Sequence, residues 1–163
     1  MPVILRAFEP TDTAAVNALA VAAFSQYQTR YADWTAFSKN LANTALLADH
    51  SEFIVAETEG QILGAVAYVG PNKPKSAFFE QEWPIMRMLV VSPVARGRGV
   101  GRMLAQECIG RARRDKAEVF ALHTTPMMEV ALGMYQRMGF TFHREAPMIQ
   151  GVPYGVYLKA LDV

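Results

Sequence analysis

The stretch at residues 90–102 reads Val90-Val91-Ser92-Pro93-Val94-Ala95-Arg96-Gly97-Arg98-Gly99-Val100-Gly101-Arg102. It follows an apolar run that starts at Ile85, and it leads into a segment with apolar residues at helical spacing. The pattern predicts a buried strand, a glycine-rich turn and an amphipathic helix. Glycines lack a Cβ and let the backbone approach a ligand closely, and the first amides of a helix attract anions. Because the arginines add fixed positive charge, we expect this turn to bind a pyrophosphate.

The spacing of the glycines excludes two common nucleotide-binding loops. The stretch has neither the G-x-x-x-x-G-K-[ST] order of a P-loop nor the G-x-G-x-x-G order of a dinucleotide-binding turn. The residue roughly 20 positions further on is Ala121, where a dinucleotide-binding unit would have a ribose-binding Asp or Glu. The expected pyrophosphate therefore belongs to another class of cofactor.

A second block with distinctive spacing reads Ala131-Leu132-Gly133-Met134-Tyr135-Gln136-Arg137-Met138-Gly139-Phe140. Together with Val91-x-Pro93 and Arg96-Gly97-Arg98-Gly99-Val100-Gly101, it resembles the GNAT superfamily of acyl-CoA-dependent N-acyltransferases. From the start of the first block to the end of the second, the resemblance spans about a third of the chain. The resemblance implies an α/β fold with a central, mostly antiparallel twisted sheet of about seven strands, flanked by about four helices.

The resemblance also implies an enzyme that moves an acetyl group from acetyl-CoA to a primary amine by direct attack in a ternary complex. A non-catalytic acyl-CoA-binding module of the same fold is the alternative. The amine acceptor, a small molecule or a peptide, stays open. Many relatives have an Asn where this chain has Met128, and Thr124 or Thr125 could supply its hydrogen bond. The implied cofactor-binding residues are Leu89, Val90, Val91, Arg96, Gly97, Arg98, Gly99, Val100, Gly101, Arg102 and Thr124.

Two residues are candidates for proton transfer. The resemblance places Tyr135 where many relatives have the tyrosine that protonates the leaving thiolate, and an ordinary tyrosine is protonated at neutral pH. Its alternative role is packing in the core. Glu82, just before the predicted strand from Ile85, is the candidate base, and its alternative role is that of a solvated surface carboxylate. A relay through ordered water, or an acceptor amine of low pKa, would make a protein base unnecessary. Backbone amides of residues 89–91 are the expected donors to the oxyanion.

Aromatic residues are concentrated between residues 24 and 37. They are explained either by packing between two short helices or by a wall of the acceptor pocket, which the resemblance places at this segment. Tyrosines would suit an amphipathic amine, because each offers apolar area and a polar tip. The candidate substrate contacts are Tyr27, Tyr31, Trp34 and Glu82.

Composition narrows the class of protein. The 163 residues carry a net charge of +1, which predicts one domain over residues 1–163 and argues against a nucleic-acid partner. No apolar run reaches membrane-spanning length and no signal-peptide layout is visible, so we expect a cytoplasmic protein. The histidines lack metal-ligand spacing, although His123 is a candidate for a substrate or relay role. The single cysteine, Cys108, is expected to be a buried hydrophobe. A homodimer is implied by the resemblance alone.

The remaining elements follow from periodicity and turn residues. The pattern predicts strands near both ends of the chain, a first helix after residue 12, and a hairpin around Glu59-Gly60-Gln61. It predicts a second helix from residue 34 or 35 to about residue 49, and a helix from residue 127 or 128 to residue 138 that stops at Gly139. The last two strands are expected at residues 140–144 and 154–158, with Pro147 to Pro153 as a loop between them.

Overall fold

A computed structural model describes residues 2–161. In chain order the elements are β1 (Ile4–Ala7), α1 (Thr13–Phe24), α2 (Trp34–Leu41), β2 (Glu52–Thr58), β3 (Gln61–Val69), β4 (Ile85–Val91), α3 (Val100–Arg114), β5 (Val119–Thr124), α4 (Glu129–Arg137), β6 (Thr141–Ile149) and β7 (Val152–Ala160). All seven strands form one mixed sheet, which confirms the predicted fold class. Within the described residues, no helix is both long enough and apolar enough to cross a bilayer.

The sheet has the strand order β1-β2-β3-β4-β5-β7-β6, and only the β4–β5 pair is parallel. Successive residues of β2 point to opposite faces, as strand geometry requires. Ile54 and Ala56 pack in the core beneath α3, and Phe53 and Val55 pack beneath α1. The sheet is therefore covered on both sides, which explains why its central strands read as nearly continuous apolar runs.

Helix α3 lies unusually close to the sheet at Gly64 of β3. A Cβ on Gly64 would stand 2.9 Å from Val100 Cγ1 and 3.0 Å from Leu104 Cδ1, so only glycine fits there. The apolar stripe of α3 is buried against this surface, and Cys108 within it has no exposed area. Burial raises the pKa of the Cys108 thiol well above its usual range. The expectation that Cys108 is an inert core residue is confirmed.

Strands β4 and β5 diverge after a single residue pair. Ile85 pairs with Ala121, and the Ala121 amide donates a 3.1 Å hydrogen bond to the Pro84 carbonyl. Further along β4, Met88 has a φ of 53°, and the register with β3 shifts between Ala65 and Ala67. This is a β-bulge, which bends the strand and re-aims its backbone groups. The C-terminal half of β4 consequently has a strand partner on one edge only, and a slot opens towards β5.

The second helix is shorter than its sequence predicts. Helix α2 ends at Leu41, and a separate 3-10 helix covers Thr44–Asp49, where the prediction had one helix to about residue 49. The buried Thr44 hydroxyl donates a 2.6 Å hydrogen bond to the Leu41 carbonyl. A threonine hydroxyl that bonds the backbone in this way competes with the helical pattern, which accounts for the break.

The last two strands are longer than predicted, and the loop expected from Pro147 to Pro153 is wrong. The strands β6 and β7 continue to a two-residue turn at Gln150 and Gly151, which have φ values of 47° and 80°. Positive φ at both central residues is the signature of a type I′ hairpin turn. Pro147 lies in an edge strand at a register shift, and Pro153 lies beyond the last β5–β7 pair, so neither proline removes a needed ladder bond.

Candidate active site

Two clefts adjoin beside the bulge of β4. The loop cleft, of about 530 Å³, lies between the glycine-rich loop, the start of α3 and α4, and the hairpin cleft, of about 580 Å³, lies between β4, β5, α2 and the β6–β7 turn. A shared group of side chains lines both clefts: Phe24, Leu89, Met128, Ala131 and Tyr135. A molecule that fills one cleft can therefore meet a molecule in the other near Leu89 and Tyr135.

The loop cleft ends at the N-terminus of α3. Gly97 and Gly99 have φ values of 79° and 78°, a left-handed conformation that other residues adopt only with strain, and Gly99 occupies the N-cap position. The first intrahelical bond runs from the Met103 amide to the Gly99 carbonyl at 3.0 Å. The amides of residues 100–102 therefore have no partner within the helix and carry the positive end of its dipole. Arg96 and Arg102 line the same cleft. This end of the cleft suits a bound phosphate or diphosphate.

Tyr135 lies where the two clefts adjoin. Its ring is buried and packs edge-on against Phe140, with ring centroids 5.9 Å apart. No hydrogen bond ties its hydroxyl to another residue within 2–161, and Tyr135 lines both clefts. Burial raises the pKa of Tyr135 well above its usual range. The hydroxyl therefore keeps its proton at neutral pH and can act as a hydrogen-bond donor or general acid towards a leaving group that develops negative charge.

The outer wall of the hairpin cleft is an aromatic layer. Phe24 and Phe37 line the cleft, with ring centroids 5.8 Å apart. Behind them the Tyr31 ring stacks on Phe37 at 4.0 Å, and its hydroxyl shares a 2.6 Å hydrogen bond with the Tyr154 hydroxyl. The Ala32 amide also donates a hydrogen bond of 2.8 Å to the Gln150 carbonyl. These long-range contacts hold the α1–α2 segment against the hairpin and close the cleft on that side.

The floor of the hairpin cleft carries polar side chains from β4 and β5. Arg87 of β4 and His123 of β5 both line it. Burial, with a smaller contribution from the positive charge of Arg87, lowers the pKa of His123 to about 4, so its imidazole is neutral at pH 7. The Nδ1 atom of His123 is buried without a hydrogen-bond partner among the described residues. Residues 2–161 hold no group of three His, Cys, Asp or Glu side chains placed to bind a metal ion.

Comparison with known proteins identifies the family. The model of the acetyltransferase (GNAT) family matches residues 12–140, which include β4, β5, α3 and α4. The chain belongs to the GNAT acetyltransferase family. The resemblance drawn from the glycine-rich loop and the Tyr135 block is thereby confirmed.

Individual relatives of this GNAT chain are distant. It is 30% identical over 101 residues to N-acetyltransferase family 8 member 3 of Rattus norvegicus, covering 62% of this chain and 43% of that protein. It is 33% identical over 95 residues to mycothiol acetyltransferase of Cellulomonas flavigena, covering 56% of this chain and 27% of that protein. The chain thus spans less than half the length of these two relatives. The PaiA N-acetyltransferase of Thermoplasma acidophilum, solved in complex with coenzyme A, has the same fold, with a TM-score of 0.79, 13% identity, and 99% and 100% of the two chains covered.

The predicted cofactor residues of this GNAT chain are mostly brought together. Nine of them line the loop cleft: Leu89, Val90, Val91, Arg96, Gly97, Gly99, Val100, Gly101 and Arg102. The side chain of Arg98 is exposed and lies outside that lining, and Thr124 lies in the hairpin cleft. Thr125, the other candidate to replace the missing Asn, accepts a 3.3 Å hydrogen bond from the Met127 amide. Met128 itself lines both clefts.

The predicted acceptor contacts are not brought together in the hairpin cleft. Tyr27 lines the loop cleft, while Tyr31 and Trp34 pack behind the aromatic layer and line neither cleft. Glu82 is exposed in the segment before β4, at the end where β4 and β5 are paired, and it also lines neither cleft. The structure therefore separates Glu82 from Tyr135. The physical reason is that the slot opens at the opposite end of β4, beyond the bulge.

Several residues of the hairpin cleft were not predicted from the sequence. Phe24 and Phe37 belong to the aromatic segment, but periodicity does not say which aromatics face the cleft. Arg87 carried the clearest signal, since it is the one charged residue within the apolar run of residues 85–91. A charged residue in a central strand needs either a partner or an opening towards solvent.

Proposed function

We propose that this chain transfers an acetyl group from acetyl-CoA to a primary amine, with both substrates bound together. The observation that carries this proposal is the meeting of two clefts at Leu89 and Tyr135, one of them ending in the uncapped amides of α3. Membership of the GNAT family and the names of the related acetyltransferases support the same chemistry.

The loop cleft fits coenzyme A. Gly97 and Gly99 have positive φ and no Cβ, so a ligand can approach the backbone of the loop closely, and the amides of residues 100–102 are available to the diphosphate. Arg96 and Arg102 add positive charge at that end. The open edge of β4 offers backbone donors and acceptors along the slot, where an extended pantetheine arm binds as an added strand does. Bound acetyl-CoA supplies an activated acyl group as a thioester.

Backbone of β4 near Leu89 supplies the oxyanion donor in this proposal. The bulge at Met88 turns an amide of the unpaired edge towards the slot, and amides held by a sheet need no reorganisation when charge develops. The Tyr135 hydroxyl, which is protonated at neutral pH, donates its proton to the thiolate as the C–S bond breaks, and water in the cleft then returns a proton to it. The hairpin cleft holds the amine beside both groups.

The attacking amine has to be neutral. Neutral His123 lines the hairpin cleft and can accept a hydrogen bond, but with a pKa of about 4 it is a weak base. We infer that the proton of the amine leaves through water in the open cleft, with no role for Glu82. The rate should then rise with pH as the acceptor amine loses its proton, so the midpoint of the pH–rate curve should follow the pKa of that amine. An acceptor of different basicity should shift this midpoint.

The test measures release of coenzyme A thiol from acetyl-CoA in the presence of a panel of primary amines. Thiol release with at least one amine, accompanied by the N-acetylated product, supports the proposal. Binding of acetyl-CoA without thiol release for any amine would favour the acyl-CoA-binding module instead. Glu82→Gln serves as a control, and a large fall in its rate at saturating substrates would overturn the water route for the proton.

A further inference from the structure

The hairpin cleft contains an arginine that no carboxylate neutralises. Arg87 pairs with Ala67 in the β3–β4 ladder, and its side chain lines the cleft while the residue is only partly exposed. Four other arginines bind carboxylates within ion-pair distance: Arg6, Arg111, Arg114 and Arg144. Within residues 2–161, Arg87 has neither an ion pair nor a side-chain hydrogen bond. Burial removes part of the hydration of this guanidinium, so a ligand that supplies an anion is favoured beside it.

The other side chains of the cleft make Arg87 the dominant charge. No Asp or Glu is among the residues that line it, and His123 is neutral at pH 7. The polar remainder consists of amides and hydroxyls: Asn40, Asn43, Thr44, Thr124, Tyr135, Gln150 and Tyr154. A cleft with a single positive charge repels polyamines and other cationic acceptors, and it attracts an acceptor that carries a carboxylate.

The distance along β4 limits where that carboxylate can be. Arg87 precedes Leu89 by two residues, with the bulge residue Met88 between them, so their Cα atoms are at most about 7 Å apart. The amine has to reach the region of Leu89 and Tyr135, and the guanidinium lies within one side-chain length of it. Amine and carboxylate therefore belong to the same small molecule. The remaining wall is apolar and suits an apolar side chain, with contributions from Phe24, Phe37, Leu41, Leu47, Met148 and Ile149.

We propose that Arg87 binds the carboxylate of the acyl acceptor, and that the acceptor is an α-amino acid with an apolar side chain. This inference rests on the acetyl transfer proposed above, since it names the acceptor for that reaction. Arg87 acts here as a specificity residue, because its planar guanidinium matches a carboxylate in a two-pronged geometry that lysine lacks.

The experiment compares amino acids with their uncharged amides. Thiol release is measured for alanine, leucine, methionine and phenylalanine, for the four corresponding amino acid amides, and for spermidine, each over a pH series that corrects for amine basicity. We expect kcat/KM for at least one apolar amino acid to exceed that of its amide by about 100-fold, as loss of one partner of a desolvated charge pair implies. Spermidine should be the poorest acceptor.

Variants assign the preference to Arg87. In Arg87→Gln the preference for the amino acid over its amide should fall about 100-fold, mainly through KM, and Arg87→Lys should restore part of it. Arg113→Gln, an exposed arginine on α3 away from both clefts, should retain the wild-type preference. Calorimetric titration of N-acetylphenylalanine and its amide into the wild type provides a readout without turnover, and the carboxylate form should bind about 100-fold more tightly.

The results distinguish a wrong acceptor, a wrong role for Arg87 and a wrong reaction. If amides or spermidine react as well as the amino acids, the carboxylate assignment is overturned while acetyl transfer stands. An unchanged amino acid preference in Arg87→Gln, with coenzyme A affinity showing that the variant is folded, would overturn the role of Arg87. Absence of thiol release with every acceptor, despite binding of acetyl-CoA, would overturn the acetyl transfer itself.

Discussion

Replacing Gly99 by alanine tests the proposal that the start of α3 binds the diphosphate of coenzyme A. Gly99 has a φ of 78°, and a Cβ there would have no protein atom within 4 Å, so a steric clash within the protein is not the issue. The left-handed conformation costs a residue with a Cβ about 1–2 kcal/mol. The loop can relieve this strain by rotating its backbone, which turns the amides at the start of the helix away from the bound diphosphate.

The expected loss of coenzyme A affinity and of stability follows from the lost hydrogen bond and from the backbone strain. Loss of one hydrogen bond to a charged oxygen costs about 2 kcal/mol, which corresponds to about 30-fold weaker binding of coenzyme A. The strain that remains in the unliganded protein lowers the free energy of unfolding by about 1 kcal/mol, or Tm by about 2–4 °C for a chain of this size. Calorimetric titration with coenzyme A gives Kd, and urea denaturation gives the free energy of unfolding.

Gly110 provides a matched control on the same helix. It lies in the interior of α3, is exposed, and has open space where a Cβ would be. Gly110→Ala should raise the free energy of unfolding by up to about 1 kcal/mol through helix propensity and leave the Kd for coenzyme A unchanged. The reasoning is refuted if Gly99→Ala binds coenzyme A within about twofold of the wild type while remaining folded.

Three further predictions concern single groups. Tyr135→Phe should lower kcat about 100-fold with the Kd for coenzyme A nearly unchanged, and an equal rate of thiol release at every pH would remove its role as the acid. The hydrogen bonds from Arg6 hold the pKa of Asp12 below its usual range, so the stability this carboxylate contributes is present above its unfolded pKa and is lost as pH falls below about 4. Urea denaturation from pH 7 to pH 3 should show this loss, and it should be smaller in Asp12→Asn. Tyr154→Phe should lower the free energy of unfolding by about 1–3 kcal/mol, because it leaves the buried Tyr31 hydroxyl without a hydrogen-bond partner. The double variant Tyr31→Phe with Tyr154→Phe should recover part of that loss in urea denaturation, and equal stability of the single and double variants would contradict this coupling.

The sequence alone was sufficient for the features that depend on local chemistry. Apolar residues before Ser92, glycines at positions that need positive φ, and helical spacing after Gly99 together predict a strand, a glycine-rich turn and a helix, and all three elements are present. Binding of an anion by that turn stays a prediction. Such signals are local, because a glycine conformation or a helix N-terminus is determined by a few neighbouring residues.

The arrangement of the clefts depended on contacts between distant parts of the chain. Whether β4 and β5 stay paired or separate depends on the bulge at Met88 and on the β5–β7 ladder. The pattern of apolar residues in these strands predicts neither feature. Tyr31 was a candidate substrate contact, but its hydroxyl lies against Tyr154, which is more than a hundred residues further along the chain. Glu82 likewise precedes β4 in sequence, and in space it lies at the end of β4 that is paired with β5, outside both clefts.

Sequence by itself thus determined the strand–loop–helix unit, the alternation of buried faces and the family to which the chain belongs. Only the tertiary structure decided which aromatic rings face the hairpin cleft, that Arg87 stands in that cleft without a carboxylate, and that Tyr135 lies between the two clefts. The physical reason is that local conformation is set by short-range sterics and hydrogen bonds. The position of a side chain in a cleft depends instead on how several strands and helices pack at once.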